Sequence, residues 1–498
     1  MANRVFRLYD TQSRQVKELK TAEPGHLKFY SCGPTVYSYA HIGNFRTFLT
    51  ADLVIRTAQA LGWKVTYVSN ITDVGHLTSD DQEGGEDRME KGLRSKEGES
   101  FVNVWDLAAF YAQCFKDDWM RLNLKRPYVW PRATEHMREQ IAAVEDLIAK
   151  GHAYETPSGV YYSVGSFRDY GKLSGNRNQD ELMTGVRDVV VDENKRHPAD
   201  FALWKKDDKH LMQWYSPWGW GFPGWHIECS VMAMQYLGET LDLHAGGEDL
   251  IFPHHECEIA QSEGLTGKPF ANHWMHTRFL QVNGEKMSKS LGNFFTARDL
   301  VDGKGANPLA LRYALISQNY GTPHNFTFDL LSDATKKVER YQLCDQLAEA
   351  AIAENKPGDD LIGAQLDELY AEVLDAMCDN LNTSVALGKA LEGTRVILRE
   401  EKSLSAASGH SAKRFLDQIN ALLGIVRSEY EIGQVSAKAA GPAIDAEAVE
   451  AKIAERAEAK KAKDFARADA IRQELDAMGV ELRDTPEGTT WKAKGPAL

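Results

Sequence analysis

Four residues of metal-ligating type lie scattered along the chain: Cys32, Cys229, His254 and Glu258. Zinc takes four ligands drawn from cysteine, histidine and carboxylate, and this set supplies them. Cys32 follows a β-like run, Cys229 ends Gly224-Trp225-His226-Ile227-Glu228-Cys229, and Glu258 comes one helical turn after His254. Pro253 suits the first turn of a helix starting near Phe252. His254 and Glu258 would then share one helical face. The spacing is not that of a local zinc finger. Two buried thiols and a hydrogen-bonded histidine are the other reading of the same residues. His255 and Cys257 compete for the metal, but their offsets from His254 point them partly elsewhere. His226 is a further candidate, as a neighbour of a ligand or facing a substrate.

Two other stretches suit a nucleotide. His41-Ile42-Gly43-Asn44 would open a helix whose free backbone N–H groups favour phosphate, and Gly43 permits close approach. His41 and Asn44, one turn apart, can both donate to triphosphate oxygens, and Gly33 is grouped with them as a nucleotide contact. An ordinary helix start explains the same four residues. The run Gly284 to Asn293 carries Lys286 and Lys289 in a loop rich in glycine and serine. Two such lysines can close on a triphosphate as charge builds up on it. A solvated loop accounts for the lysines but not for their enclosure by Gly284, Ser288, Ser290 and Gly292. Gly246-Gly247-Glu248-Asp249 follows the β-like Leu241-Asp242-Leu243. Its glycines leave room for adenosine and Asp249 can accept a ribose hydroxyl; a tight turn with a helix-capping acid is the alternative. The glycine-rich loop of common NTPases and the dinucleotide fingerprint are both absent. A zinc that grips a thiol beside such a site would let an ATP-dependent enzyme choose cysteine.

These residues need a scaffold. Leu27 to Ser31 predicts a strand, Phe45 to Leu61 a buried helix ended by Gly62, and Trp63 to Ser69 a second strand. That β-α-β order implies a parallel sheet with ligand loops at the strand ends. Ser79 to Ser100 reads as exposed and mobile, and Phe101 to Leu122 as a long helix. Met137, Ile141, Val144 and Ile148 follow helical spacing up to Gly151. Beyond them aromatic strand-like pieces such as Val160-Tyr161-Tyr162-Ser163 alternate with turns. Residues 126–223 are thus an insertion between a first half of the sheet (1–125) and a second (224–294). A region that follows the lysine loop (295–330), a helical domain (331–432), a linker (433–449) and a C-terminal module (450–498) complete the expected order. Ser403 to Ser411 looks like a loop and Gly433 to Gly441 like a linker. Near the end Phe465, Ala468, Ile471, Leu475 and Met478 repeat at helical steps, with Gly479 as cap. A hairpin would turn around Pro486-Glu487-Gly488. The fold class is α/β: a Rossmann-like parallel sheet split by an insertion, then a helical bundle and a small α+β module.

With 498 residues the chain is too long for one ordinary core. Its 43% hydrophobic and 26% charged residues suit a soluble globular protein. No apolar run is long enough to span a membrane, and the start lacks the apolar core of a signal peptide. Six sparse, irregular cysteines argue against a disulfide framework and for a reducing cytoplasm. A net charge of -14 disfavours a general polyanion binder. The acidity lies before Glu450, since the remainder balances ten basic against ten acidic residues. Lys460, Lys461, Lys463, Arg467 and Arg472 either touch phosphates or form a solvated helix face. Trp491 stacks on a base or packs.

Taken together, these motifs resemble the cysteinyl-tRNA synthetase family of class I aminoacyl-tRNA synthetases over nearly the whole chain. Tyr30 to Asn44 is similar to its first signature, Pro223 to Ser230 to the segment with the second thiolate, and Phe252 to Gln261 to the helix with His254 and Glu258. Lys286 to Ser290 matches its lysine loop. Asp464 to Leu475 and Asp484 to Trp491 resemble its C-terminal tRNA-binding module. The resemblance implies that Thr72 and Trp225 line an amino-acid pocket, with one Zn2+ per chain and ATP bound with Mg2+. It also implies L-cysteine and tRNA(Cys) as partners and a monomer. In the implied reaction the cysteine carboxylate attacks the α-phosphate while His41, Asn44, Lys286 and Lys289 stabilise the pentavalent state. Two departures stand out. Asn44 replaces a histidine common in class I enzymes, and an amide still donates. After Asn70-Ile71-Thr72-Asp73 the chain runs Val74-Gly75-His76 instead of an aspartate-rich continuation, so residues 74–91 are a flap near the pocket or a surface loop. The rival readings are a cysteine ligase acting on an amino-sugar and a zinc-bearing RNA-binding protein with a dead synthetase core.

Overall fold

The computed structural model describes residues 4–75, 87–95, 98–176, 194–288, 291–430, 446–462, 464–477, 480–485 and 488–493. Lys289, the 433–441 linker, Met478, Gly479 and the turn residues 486–487 lie outside them. The chain divides into two compact units, Met1–Glu431 and Ile432–Leu498.

A four-stranded, all-parallel sheet organises the first unit. His26–Ser31 pairs on one side with Lys64–Ser69 and on the other with Leu243–Gly247, which in turn pairs with Trp274–Thr277. The two halves expected from the sequence are therefore neighbours. Chain order reverses between His26–Ser31 and Leu243–Gly247, and the loops beyond their carboxyl ends diverge to form a crevice there. The helix Ile42–Ala60 connects the first two strands. Its buried Ile42, Phe45, Phe48, Leu49, Leu53, Val54 and Ile55 lie all round it, as a helix enclosed on every side requires. Leu61 closes it, and Gly62 turns the chain away at φ 83°.

In chain order, the helix Met137–Ala149 and a five-stranded antiparallel sheet come between the two halves. The latter runs in the order Ala153–Glu155, Gly159–Tyr162, Phe201–Lys206, Gly219–Pro223, Trp214–Ser216. Four helices, Phe328–Ala353, Gly363–Cys378, Thr383–Arg399 and Ala406–Leu423, follow the parallel sheet and share one apolar core with it. In the second unit the helices Ala446–Lys461 and Phe465–Ala477 bury Val449, Ile453, Ile471 and Leu475 together. A hairpin of Val480–Thr485 and Gly488–Ala493 completes it. No helix among the described residues is long and apolar enough to cross a membrane. All six cysteines are free and buried.

Four expectations need correction. Ser403 to Ser411 is not a loop: Ser405 caps the helix Ala406–Leu423 by accepting from the Ser408 N–H. Its small residues serve close packing, since a Cβ on Gly409 would lie 3.1 Å from the Ala348 carbonyl oxygen. Within Ser79 to Ser100, Arg88–Leu93 is a helix with Met89 fully buried. The regular helix bearing Glu258 is Glu256–Thr266, because Phe252 is extended (φ -141°, ψ 133°) and Ile251–His255 forms an irregular turn before it. The third strand is Leu243–Gly247, so Gly246 and Gly247 end a strand instead of making a βα turn.

A buried ionic knot fixes the helix Ile42–Ala60 against the helical region. Asp52 accepts from Arg56 Nε at 2.7 Å, from Arg312 and from the Lys125 N–H at 2.7 Å. Arg56 also donates to the Asn420 and Ala421 carbonyls and to Glu429, and Arg312 donates to the Leu423 carbonyl. Burial works against the charge on Asp52, but the two guanidinium groups outweigh it and lower its pKa. Asp52→Ala will leave two buried cations short of their shared carboxylate and destabilise the first unit by about 3–5 kcal/mol. The measurement is the midpoint of its urea transition.

Candidate active site

Cys32 stands immediately past the strand His26–Ser31, and its N–H donates to the Ala245 carbonyl of the neighbouring strand. Cys229 lies early in the helix Trp225–Leu237, which starts directly from a strand. Gly224 permits that junction, since a Cβ there would lie 2.0 Å from the Ala202 carbonyl oxygen. The structure brings Cys32, Cys229, His254 and Glu258 together, all buried, with ligand atoms within 4.8 Å of one another. The two sulfurs are 3.8 Å apart, Cys32 Sγ is 3.4 Å from Glu258 Oε1, and that oxygen is 3.0 Å from His254 Nε2. A tetrahedral zinc with bonds of about 2.3 Å to sulfur and 2.0–2.1 Å to nitrogen or oxygen sets those edges at about 3.8, 3.5 and 3.3 Å. The donor set fits.

Surrounding histidines hold this cluster in place. His244 Nε2 meets the second Glu258 oxygen at 2.9 Å, and His226 Nδ1 lies 2.8 Å from His254 Nδ1. Such outer contacts orient ligands and set histidine tautomers. His255 turns toward Cys32, its Nε2 at 3.3 Å, with Nδ1 bonded to His276 at 2.8 Å. The expectation that it points partly elsewhere is therefore corrected, whereas Cys257 does face away, toward the Tyr170 hydroxyl. Cys32, His244, His255 and Glu258 form an alternative grouping. The first set keeps both thiols and leaves His244 and His255 as supports, which suits metal binding better. Burial disfavours the Glu258 carboxylate, but His244 and His254 outweigh it and hold it well below the usual carboxylate range. Burial likewise opposes the His254 cation, yet Glu258 and Cys229 raise its pKa to about 10. The Cys32 thiol, donating to Cys229, draws the latter toward thiolate.

Next to the cluster, the Thr72 hydroxyl donates to Glu228 Oε2 at 3.1 Å, and the Trp225 ring lies 4.3 Å from that of His254. Gly33 donates to Asn70 Oδ1 at 2.8 Å, and a Cβ on it would fall 1.7 Å from the Asn70 carbonyl oxygen. Only glycine lets these loops touch. The space left by Gly246 is taken by His255 and Leu250, and that left by Gly247 by the Asp249 carboxylate.

His41 and Asn44 cap their helix reciprocally. The Asn44 N–H donates to His41 Nδ1 and the His41 N–H to Asn44 Oδ1, each at 3.1 Å. Because Nδ1 accepts, the imidazole proton is assigned to Nε2; because Oδ1 accepts, the Asn44 amide turns its NH2 outward. Both side chains are set as donors. The lysine segment packs against this motif: the Ile42 N–H donates to the Phe295 carbonyl, and a Cβ on Gly43 would lie 3.3 Å from Met287 Cε. Asn283 and Gly284, both at positive φ, form the tight turn that presents Lys286, exposed, on Glu285–Lys286. Asp249 opens to the crevice within electrostatic reach of His254, Lys286 and Arg88. Sequence reasoning passed over His244, His276 and Arg88. Histidines inside otherwise apolar strands were the available signal for the first two.

Residues 18–336 match the family described as "tRNA synthetases class I (C) catalytic domain", and residues 445–491 match "Cysteinyl-tRNA ligase anticodon binding domain". A cysteine--tRNA ligase of Salinibacter ruber is 52% identical over 514 aligned positions, covering 99% of either chain. One of Geobacter sulfurreducens is 42% identical, covering 98% of this chain and 100% of that one. Among solved structures, Mycobacterium tuberculosis methionyl-tRNA synthetase bound by methionyl-adenylate shares the fold (TM-score 0.59, 13% identity, 80% of this chain and 92% of that one). From the geometry and these matches together, the chain belongs to the cysteinyl-tRNA ligase family of class I aminoacyl-tRNA synthetases.

Proposed function

We propose that the chain activates L-cysteine with ATP and transfers it to tRNA(Cys). The gathering of two thiols, a histidine and a carboxylate into one buried cluster carries this reading. Cys32, Cys229, His254 and Glu258 would hold a zinc, whose charge would favour the deprotonated sulfur of cysteine over serine's harder, less acidic oxygen. Thr72 and Trp225 enclose the substrate beside that cluster. Gly33 and the strand end Gly246-Gly247 border the nucleotide through their backbone, and Asp249 accepts a ribose hydroxyl. The cysteine carboxylate then attacks the α-phosphorus of ATP, which enters with Mg2+, and pyrophosphate departs. His41 Nε2–H and the Asn44 amide donate to the triphosphate, while Lys286 and Lys289 neutralise it. These preorganised donors act where charge develops, so no protein nucleophile is required. The ribose of the tRNA 3′ end next takes the cysteinyl group from the adenylate. Residues 331–432 and 450–498 contact the tRNA, and the chain works as a monomer.

An amino-sugar acceptor leaves the 445–491 module without a purpose, which favours tRNA. The test measures cysteine-dependent ATP–pyrophosphate exchange together with transfer of labelled cysteine to tRNA(Cys) and to an amino-sugar. Exchange with transfer to tRNA is expected. Exchange with transfer to the sugar alone would replace this reading with the rival.

A further inference from the structure

The helix Arg88–Leu93 is docked firmly at its start and along its length. Asp87 caps it, accepting from the Glu90 N–H at 2.7 Å, and its other oxygen meets His210 Nε2 at 3.1 Å. The His210 ring stacks on Phe222 at 4.0 Å, so the strand Gly219–Pro223 braces the cap. Gly75 and Gly92 admit the contact: a Cβ on Gly75 would collide with the Asp87 carboxylate, and one on Gly92 would lie 2.8 Å from the Tyr37 carbonyl oxygen. Asp87 and Met89 are both buried.

That docking carries the first helical residue into the crevice. The Arg88 guanidinium lies 5.7 Å from the Trp225 ring centroid and 6.0 Å from that of Tyr37. The same Trp225 ring rests against His254 of the thiol-binding cluster. Asp249, at the nucleotide end, is within electrostatic reach of both Arg88 and Lys286. A half-buried cation thus stands where the amino-acid end of the crevice meets the nucleotide end.

We propose that Arg88 receives the α-carboxylate of the amino-acid substrate and holds it in line with the α-phosphorus of ATP. This assignment rests on the cysteine-activation reading above. A substrate anchored by its sulfur still has to orient its carboxylate, and the planar guanidinium fork matches two carboxylate oxygens at once. The flanking aromatic faces limit the freedom of the cation before substrate arrives. In the step itself the carboxylate oxygen forms a bond to the α-phosphorus, and the bond from that phosphorus to the bridging oxygen breaks as pyrophosphate leaves. Arg88 carries no proton in either direction. It offsets the repulsion between two anions that must approach.

The test compares the full-length chain with Arg88→Met and Arg88→Lys. Cysteamine, which keeps the thiol and amine of cysteine but lacks the carboxylate, serves as the competing probe. Arg88→Met is expected to weaken cysteine binding about 10- to 100-fold and to lower kcat for pyrophosphate exchange, the scale of a lost charge-assisted hydrogen bond. Cysteamine inhibition and zinc content are expected to stay at the wild-type level, and Arg88→Lys to fall between. Equal weakening of cysteine and cysteamine, or wild-type behaviour with both ligands, overturns the assignment while leaving cysteine activation intact. A wild-type chain without cysteine-dependent exchange would sink both.

Discussion

Replacing Cys229 by serine will take the zinc content from near one per chain toward zero and lower cysteine-dependent pyrophosphate exchange at least about 100-fold. Loss of an outer contact to a metal ligand already costs about 10- to 100-fold in affinity or activity, and in the proposed site Cys229 supplies a ligand atom directly. Serine keeps the size and hydrogen-bonding capacity of the site but offers a harder, far less acidic donor. The fold should survive, because the helix Trp225–Leu237 buries Ile227, Val231 and Met232 regardless. The informative comparison is discrimination against serine as substrate, which should shrink along with zinc content. Metal analysis and exchange assays on the same preparations decide it; full zinc with unchanged selectivity would count against these four ligands.

Lys286→Ala should reduce kcat for adenylate formation about 10²–10³-fold, the usual cost of removing one preorganised donor to developing charge. Lys286 is exposed on its hairpin and takes no part in the core, so stability should hardly change. Lys286 belongs to the short strand Glu285–Lys286, whereas the cluster residues stand past a strand, on two helices and on the turn before one, so cysteine KM and zinc content should stay close to wild type. Stopped-flow measurement of adenylate formation separates these quantities. A fall in cysteine affinity with an intact chemical step would assign the residue to substrate capture instead.

Much of this site can be read from the sequence because its parts obey local rules. Residues that cap a helix, such as His41 and Asn44, carry their reason in short windows, and so does the buried helix that begins at Ile42. What stays hidden depends on strands brought side by side from distant parts of the chain. His244 and His276 look like isolated polar residues until Leu243–Gly247 and Trp274–Thr277 are adjacent, when they support Glu258 and His255. Gly246 suggests space for a ligand, yet its neighbour is the His255 ring. Composition misled at Ser403 to Ser411, where small residues mean close helix packing instead of a loop. The extended backbone at Phe252 leaves no trace in the periodicity that predicts a helix there.

The pairing of His26–Ser31 with Leu243–Gly247 constrains how the molecule is made. A chain leaving the ribosome exposes one flank of its central strand until the segment beyond residue 243 has been synthesised, a delay of roughly 10 to 40 s at ordinary elongation rates. The five-stranded sheet within residues 153–223 can close from contiguous sequence in that interval, whereas the open strand flank invites mispairing. On the proposed ligand set an ion would also load late: Cys32 would wait for Cys229, His254 and Glu258, so metallation would follow translation of the first half of the polypeptide.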